Sequence, residues 1–226
     1  MGDRAGSVNR LRLLWRSSVG KKVVMAATGL IWVAYLITHM VANLLVFQGP
    51  AKINAYSAFL HGTGGALWGA RLVLILALVL HVVAAIQLAG RRQEARPVGY
   101  AGKFEPQVST AAARTIRWGG ALILLFLVYH ILHFTVGTVH PGFVEGDPYH
   151  NVATGFRNIF IVGGYLIVMA FVGLHLYHGI WSSGRSLGMS PPSPHPLRRS
   201  LALGLALFIW LGFSVIPIAV YLGAVR

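Results

Sequence analysis

Apolar residues along this chain gather into five long runs separated by polar, glycine- and proline-bearing breaks, and the length of each run sets the first expectation. Val23 to Phe47 follows the basic stretch Arg10, Arg12, Arg16, Lys21 and Lys22 and is stopped by Gln48-Gly49-Pro50. This run of 25 residues is longer than a signal-peptide core, which has roughly 7 to 15 apolar residues. A retained span over 23–47 is therefore expected. Ala51 to His61 follows a proline and has scattered apolar residues, which predicts a short helix lying on the membrane surface before Gly62, Gly64 and Gly65 break the chain. The second span, 66–90, stops at Arg91-Arg92, and a polar connector from Gln93 to Arg117 carries Pro97 and Pro106. The third, 118–139, is closed by His140-Pro141-Gly142 into a loop holding Glu145, Asp147, Pro148 and His150. The fourth covers 158–181. After a segment with four prolines between Pro191 and Pro196, the fifth takes 201–222, with a kink predicted at Pro217. A membrane helix needs about 20 residues, so the expected fold is an all-α integral membrane protein, one membrane domain over 1–226 with five transmembrane helices.

Composition sharpens this picture. Apolar residues make up 56% of the chain and charged residues 11%, against roughly 25% charged in soluble domains, which argues against a soluble globular protein. The formal charge of +14 would suggest nucleic acid, but the cations fall between apolar runs and read as topology signals. Segments 1–22, 91–117 and 182–199 hold 6, 6 and 3 basic residues, while the other side has only Lys52, Arg71, Arg157 and Arg226. The positive-inside rule then predicts a cytoplasmic N-terminus and a C-terminus outside. Asp3, Glu94, Glu105, Glu145 and Asp147 all fall in loops or tails, which argues against a pump or ion-coupled transporter. The absence of cysteine excludes disulfides, thiolate-held iron–sulfur clusters and C-x-x-C-H haem attachment.

Histidine is the candidate chemistry. Six of ten lie within spans: His39 in the first, His81 in the second, His130 and His133 in the third, His175 and His178 in the fourth. Unpartnered polar groups at that depth cost several kcal/mol, and a single such histidine most often forms a helix-to-helix hydrogen bond. Four successive helices each carrying one point instead to a four-helix bundle holding two planar b haems, with imidazoles on both faces of each iron. Depth suggests the pairs. His39 lies 17 residues after Lys22 and 9 before Gln48, in the outer half; His130 lies 13 from Arg117 and 10 from His140, slightly outer. His81, 10 from Arg91, and His175, 10 before Arg185, are inner. The expected pairs are His39/His130 and His81/His175. The i,i+3 neighbours His133 and His178 share similar faces, so spacing alone leaves them open as ligands; otherwise they are candidates for propionate, quinone or structural hydrogen bonds. Gly29, Gly69, Gly119/Gly120 and Gly163/Gly164 precede these histidines by about ten to twelve residues. Small-residue helix packing is the plainer explanation, and room for a porphyrin face the sharper one.

The segments SSVGKKVVMAATGL, THMVANL, LVLHVVAAIQL, RTIRWGGALILLFLVYHILHFTVG and GLHLYHGIWSSGRSLG closely resemble the five-helix, two-haem cytochrome b membrane subunit of succinate dehydrogenase and fumarate reductase, from about Ser17 to Arg226. The resemblance implies axial ligands at His39, His81, His130 and His175, one from each of the first four helices, and the preference for His130 over His133 rests mainly on it. It implies a complex II in a bacterial cytoplasmic membrane. There a flavoprotein oxidises succinate, an iron–sulfur subunit relays electrons, and this chain passes them through two b haems to a quinone, with menaquinone expected. A higher oligomer of that complex is compatible with it, and a nucleic-acid partner is not expected. The chain has no flavin fingerprint, so the dicarboxylate chemistry belongs to the partners. Arg91, Arg92, Lys103, Arg114 and Arg117 form a candidate docking face, or equally topology determinants facing anionic lipid.

Quinone candidates are His61, Trp68 and Arg71 at the outer face, and Ser18, Lys22 and His178 at the inner face; Trp68 also reads as an interfacial anchor. Haem-propionate candidates are Arg71 and Arg157 outside, Lys22 and Arg117 inside. Unlike relatives with intramembrane carboxylates, this chain must pass quinone-linked protons through His, Tyr or water, or directly from an aqueous side. Two other readings stand beside this one: the cytochrome b subunit of a hydrogenase or formate dehydrogenase, and a haem-free anchor or small-solute transporter whose histidines bond across helices.

Overall fold

The computed structural model describes residues 12–94, 110–189 and 196–226. Asp3, Arg4, Arg10, Pro97, Lys103, Glu105, Pro106 and the prolines from Pro191 to Pro194 lie outside the described residues. The helices that bear on the site are, in order, α1 (Ser18–Asn43), extended by a 3₁₀ segment (Leu44–Gln48); α2 (Pro50–Gly62); α3 (Gly65–Glu94); α4 (Thr110–Ile131), extended by a π-helical turn (Leu132–Val136); α5 (Pro148–Gly155); α6 (Ile159–Ser186); and α7 (Pro196–Tyr221). No strand occurs among the described residues. Five helices are long and apolar enough to cross a membrane, so the chain is an all-α integral membrane protein.

Local chemistry explains the ends. Ser17 opens α1 by accepting from the Gly20 amide at 2.8 Å, and Asn158 opens α6 by accepting from the Phe160 amide at 2.9 Å. Gly49, at φ 90°, turns the chain so that Pro50 starts α2, where the sequence predicts a surface helix. Gly137, at φ 81°, stops the third span, and a Cβ there would run into the Phe143 ring. The spans depart from their expected bounds mainly toward the basic end of the bundle. α4 begins at Thr110 and α6 runs to Ser186, because helices continue past the apolar core into the interface, where polar residues no longer need to leave the helix. α5 lies in a stretch expected to be loop. Its start is Asp147, which accepts from the His150 amide at 3.0 Å, with Pro148 in the first turn.

The helices pack unevenly. α6 lies against α1, α4 and α7, whereas α3 rests chiefly on α1 and α4 chiefly on α6. In the most apolar stretches of α6 and α7, 33% of residues are buried, against 11% in α3 and α4. Leu72, Ile75, Leu76 and Ile86 of α3 are all more than half exposed. Apolar faces of that extent belong in lipid. Where α1 meets α7, Gly212 provides the space that the fully buried Met40 fills, since a Cβ there would overlap its thioether.

The end opposite the start of α1 is closed by α2 and α5. Asn54 donates to Asp147 at 2.9 Å and accepts from the Tyr149 amide at 3.1 Å, while Asn151 donates to the Val144 carbonyl at 2.7 Å and accepts from its amide at 2.8 Å. The His150 amide and, to a lesser degree, the Asn54 side chain hold the Asp147 carboxyl below the usual carboxylate range, against the opposing effect of burial.

Candidate functional site: two imidazole pairs across one cavity

Helices α1, α3, α4 and α6 surround a cavity of about 1580 Å³, closed on one side by Phe213, Ile216 and Pro217 of α7. It is larger than an ordinary ligand pocket of roughly 300–1,000 Å³. It reaches from Ser18, Lys22, Arg91 and Arg117 at the basic end to His61 and Arg71 at the far end. His39, His81, His130, His175 and His178 all line it.

Four of these form two pairs. The ring centres of His39 and His130 are 6.0 Å apart, and those of His81 and His175 are 6.2 Å apart. Two imidazoles bound end-on to one metal, each through a nitrogen bond of about 2 Å as for zinc, have centres about 6.3 Å apart. Both pairs have that separation. Among the described residues no group of three or more His, Cys, Asp or Glu could hold a bare metal ion, so this donor set suits a metal whose remaining ligands come with it, as in a porphyrin.

The glycines support the same reading. A Cβ on Gly29 of α1 would come within 3.2 Å of His81 Cε1, and one on Gly120 of α4 within 3.6 Å of His175 Cε1. Each glycine therefore faces an imidazole on a neighbouring helix. At Gly69, Gly163 and Gly164 nothing approaches within 4 Å and none of them lines the cavity, so neither close helix packing nor room for a porphyrin is seen at those three. Gly29 and His39 are ten residues apart on α1, as are Gly120 and His130 on α4, a rise of about 15 Å. α1 and α4 thus each offer a glycine at the level of one pair and a histidine at the level of the other.

Neighbours orient each ring. His81 Nδ1 lies 3.0 Å from the Met25 carbonyl and 3.3 Å from Thr28 Oγ1. A proton on Nδ1 donated to that carbonyl leaves the Nε2 lone pair free for a metal. His175 Nδ1 is buried without a partner. His39 stacks on Tyr35 at 5.2 Å and touches Phe213 at 5.8 Å. His130 lies among Phe126, Phe134 and Tyr165.

The alternatives that spacing left open are separated in space. His133 does not line the cavity; it is fully buried on the π-helical turn, with Nδ1 2.9 Å from the Tyr165 hydroxyl, and its carbonyl faces His140 Nδ1 at 3.3 Å. His178 lines the cavity but its Nδ1 is buried without a partner, and the imidazole facing His81 is that of His175. Arg91 donates to Ser18 at 3.1 Å and to the Arg16 carbonyl at 2.9 Å, tying α3 to the start of α1. At the far end Arg71 lies over the Trp68 ring at 4.9 Å; Trp68 is 61% exposed and off the cavity wall. His61 Nδ1 donates to the Ser57 carbonyl at 2.8 Å. Arg157 is exposed and does not reach the cavity.

Sequence reasoning missed Tyr165, Thr28 and Tyr35. The available signal was a hydroxyl-bearing side chain deep in an apolar helix, which needs a partner. Comparison with family models, curated proteins and solved structures finds no match to this chain.

Proposed function

We propose that this chain is the membrane-anchor cytochrome b subunit of a bacterial succinate:quinone oxidoreductase in the cytoplasmic membrane. In this reading it takes electrons from a partner iron–sulfur subunit, itself served by a flavoprotein, and passes them through two bis-histidine b haems to a quinone, with menaquinone the expected species. The observation that carries the reading is the two imidazole pairs, at 6.0 and 6.2 Å, on the wall of one cavity between four membrane helices.

A bound b haem supplies a one-electron iron couple. His39 with His130 and His81 with His175 would hold the two irons. The Met25 carbonyl keeps the His81 proton on Nδ1. Lys22 and Arg117 line the basic end of the cavity and Arg71 the far end; as cations they would pair with the propionate carboxylates of bound haems. The cavity also offers His178 and Ser18 at one end and His61 at the other as polar contacts for a quinone.

Purification from native membranes with co-purifying subunits, followed by a dithionite-reduced minus oxidised spectrum, tests the reading. About two non-covalent b haems per polypeptide, reduced on addition of succinate, are expected. Folded protein without haem overturns the cytochrome assignment and favours an anchor or transporter. Haems reduced by hydrogen or formate and not by succinate overturn the partner assignment.

A further inference from the structure

Tyr165 of α6 is 6% exposed and sits in an aromatic enclosure, with Phe126 and Phe156 edge-on at 4.9 and 4.8 Å. Its hydroxyl lies between two imidazoles, 2.9 Å from His133 Nδ1 and 3.5 Å from His130 Nδ1, the second at the long limit of a hydrogen bond. Among the described residues neither of these two ring nitrogens nor the hydroxyl has another hydrogen-bond partner, and His133 Nε2 is buried without one.

The hydroxyl has one proton and two acceptor lone pairs; accepting from both rings would leave its buried O–H unpaired, so the arrangement that satisfies every group donates to one ring and accepts from the other. An imidazole that gives Nε2 to a metal keeps its proton on Nδ1. With His130 as such a ligand, the direction of the chain is set. His130 Nδ1–H donates to the Tyr165 oxygen, and the Tyr165 O–H donates to His133 Nδ1. His133 then carries its own proton on Nε2.

We infer that Tyr165 is a positioning residue for the far-end site, orienting and polarising the His130 imidazole through a one-way hydrogen-bond chain that ends on His133. Resting on the cytochrome reading, this adds to it a specific determinant of one of the two potentials. An acceptor on the outer nitrogen of a ligating histidine raises its basicity and fixes its ring, which favours ferric over ferrous iron. It also explains the conformation of the chain at 132–136. The π-helical turn places His133 beside Tyr165, while His130, one turn earlier, keeps its ring toward His39. π-helical turns inside α-helices frequently occur at such sites.

The test is a potentiometric titration of both haems in the purified complex carrying Tyr165→Phe, which removes only the hydroxyl. The haem concerned is identified beforehand as the one lost in His39→Leu. Its midpoint potential is expected to rise while the other stays unchanged. His133→Phe should move the same haem in the same direction by less, and the double variant should match Tyr165→Phe alone, because both changes break one chain. Two haems with unchanged potentials in Tyr165→Phe overturn the inference and leave the cytochrome reading intact; so do equal shifts of both haems. If Tyr165→Phe does not assemble, His133→Phe decides in the same way. Unaltered protein with no haem instead overturns the cytochrome reading itself.

Discussion

The two imidazole pairs have nearly equal ring separations and are held by different forces. At the basic end, His81 is fixed by hydrogen bonds to the Met25 carbonyl and Thr28, and glycines stand against both rings. At the far end, His39 stacks on Tyr35, and His130 is enclosed by Phe126, Phe134 and Tyr165. The reason lies in the surroundings. α2, α5 and the aromatic cluster close the far end, so packing there can set ring orientation. α3 rests chiefly on α1, so its histidine takes its orientation from polar contacts with that one neighbour.

The largest expected effect separates the pairs outright. On the proposed cytochrome reading, His175→Leu and His39→Leu should each halve the haem per polypeptide and remove different spectral components; both haems surviving either change would refute the pairing. Next come the glycines. Gly29→Ala puts a methyl 3.2 Å from a ring already held by Met25, and overpacking of this kind costs about 1–3 kcal/mol. Gly120→Ala makes an ordinary 3.6 Å contact and should be close to neutral. Heating the purified protein while following the Soret band should show earlier loss in Gly29→Ala alone. Equal behaviour of the two variants would mean that hydrogen bonding does not hold the His81 ring.

Closure of the far end is tested by Asp147→Ala, which removes the α5 cap at a cost of roughly 0.5–2 kcal/mol, read as faster hydrogen exchange in α5 with α6 unchanged. Because the Asp147 carboxyl is held below its ordinary value, its contribution is present above the unfolded pKa of about 3.9 and fades as pH falls through the lower folded value. Protection of the α5 amides, taken relative to free-peptide exchange at the same pH, should therefore fall on acidification only below about pH 4, and this fall should be absent in Asp147→Ala. A fall that persists in the variant assigns the acid sensitivity to another group. The smallest effect is Thr28→Val: Met25 still holds His81, so the loss should not exceed about 0.5–1.5 kcal/mol in the same Soret assay. A larger loss would make the hydroxyl, rather than the carbonyl, the main anchor.

Much of the architecture was legible because it depends on local composition. Run lengths located the five spans, and Pro50 with the scattered apolar residues after it located α2. Residue counts from the charged ends put His39 level with His130 and His81 level with His175, and those rings are neighbours at 6.0 and 6.2 Å, since rise per residue is a property of any helix. α5 was hidden by the polar composition of its loop, although Asp147-Pro148 is a helix-start signal. The start of α4 at Thr110 was masked in the same way, within residues that read as connector.

The sequence by itself determined that the chain is a five-helix membrane protein with four histidine-bearing spans, because hydropathy and helix length act within each segment. Only the tertiary structure decided which face each side chain presents and to what. His130 and His133 are three residues apart on similar faces, yet one ring meets His39 and the other meets the Tyr165 hydroxyl. Gly29 serves a histidine on another helix rather than its own. These relations depend on how α1, α3, α4 and α6 approach one another, and packing between distant segments leaves no mark in local periodicity.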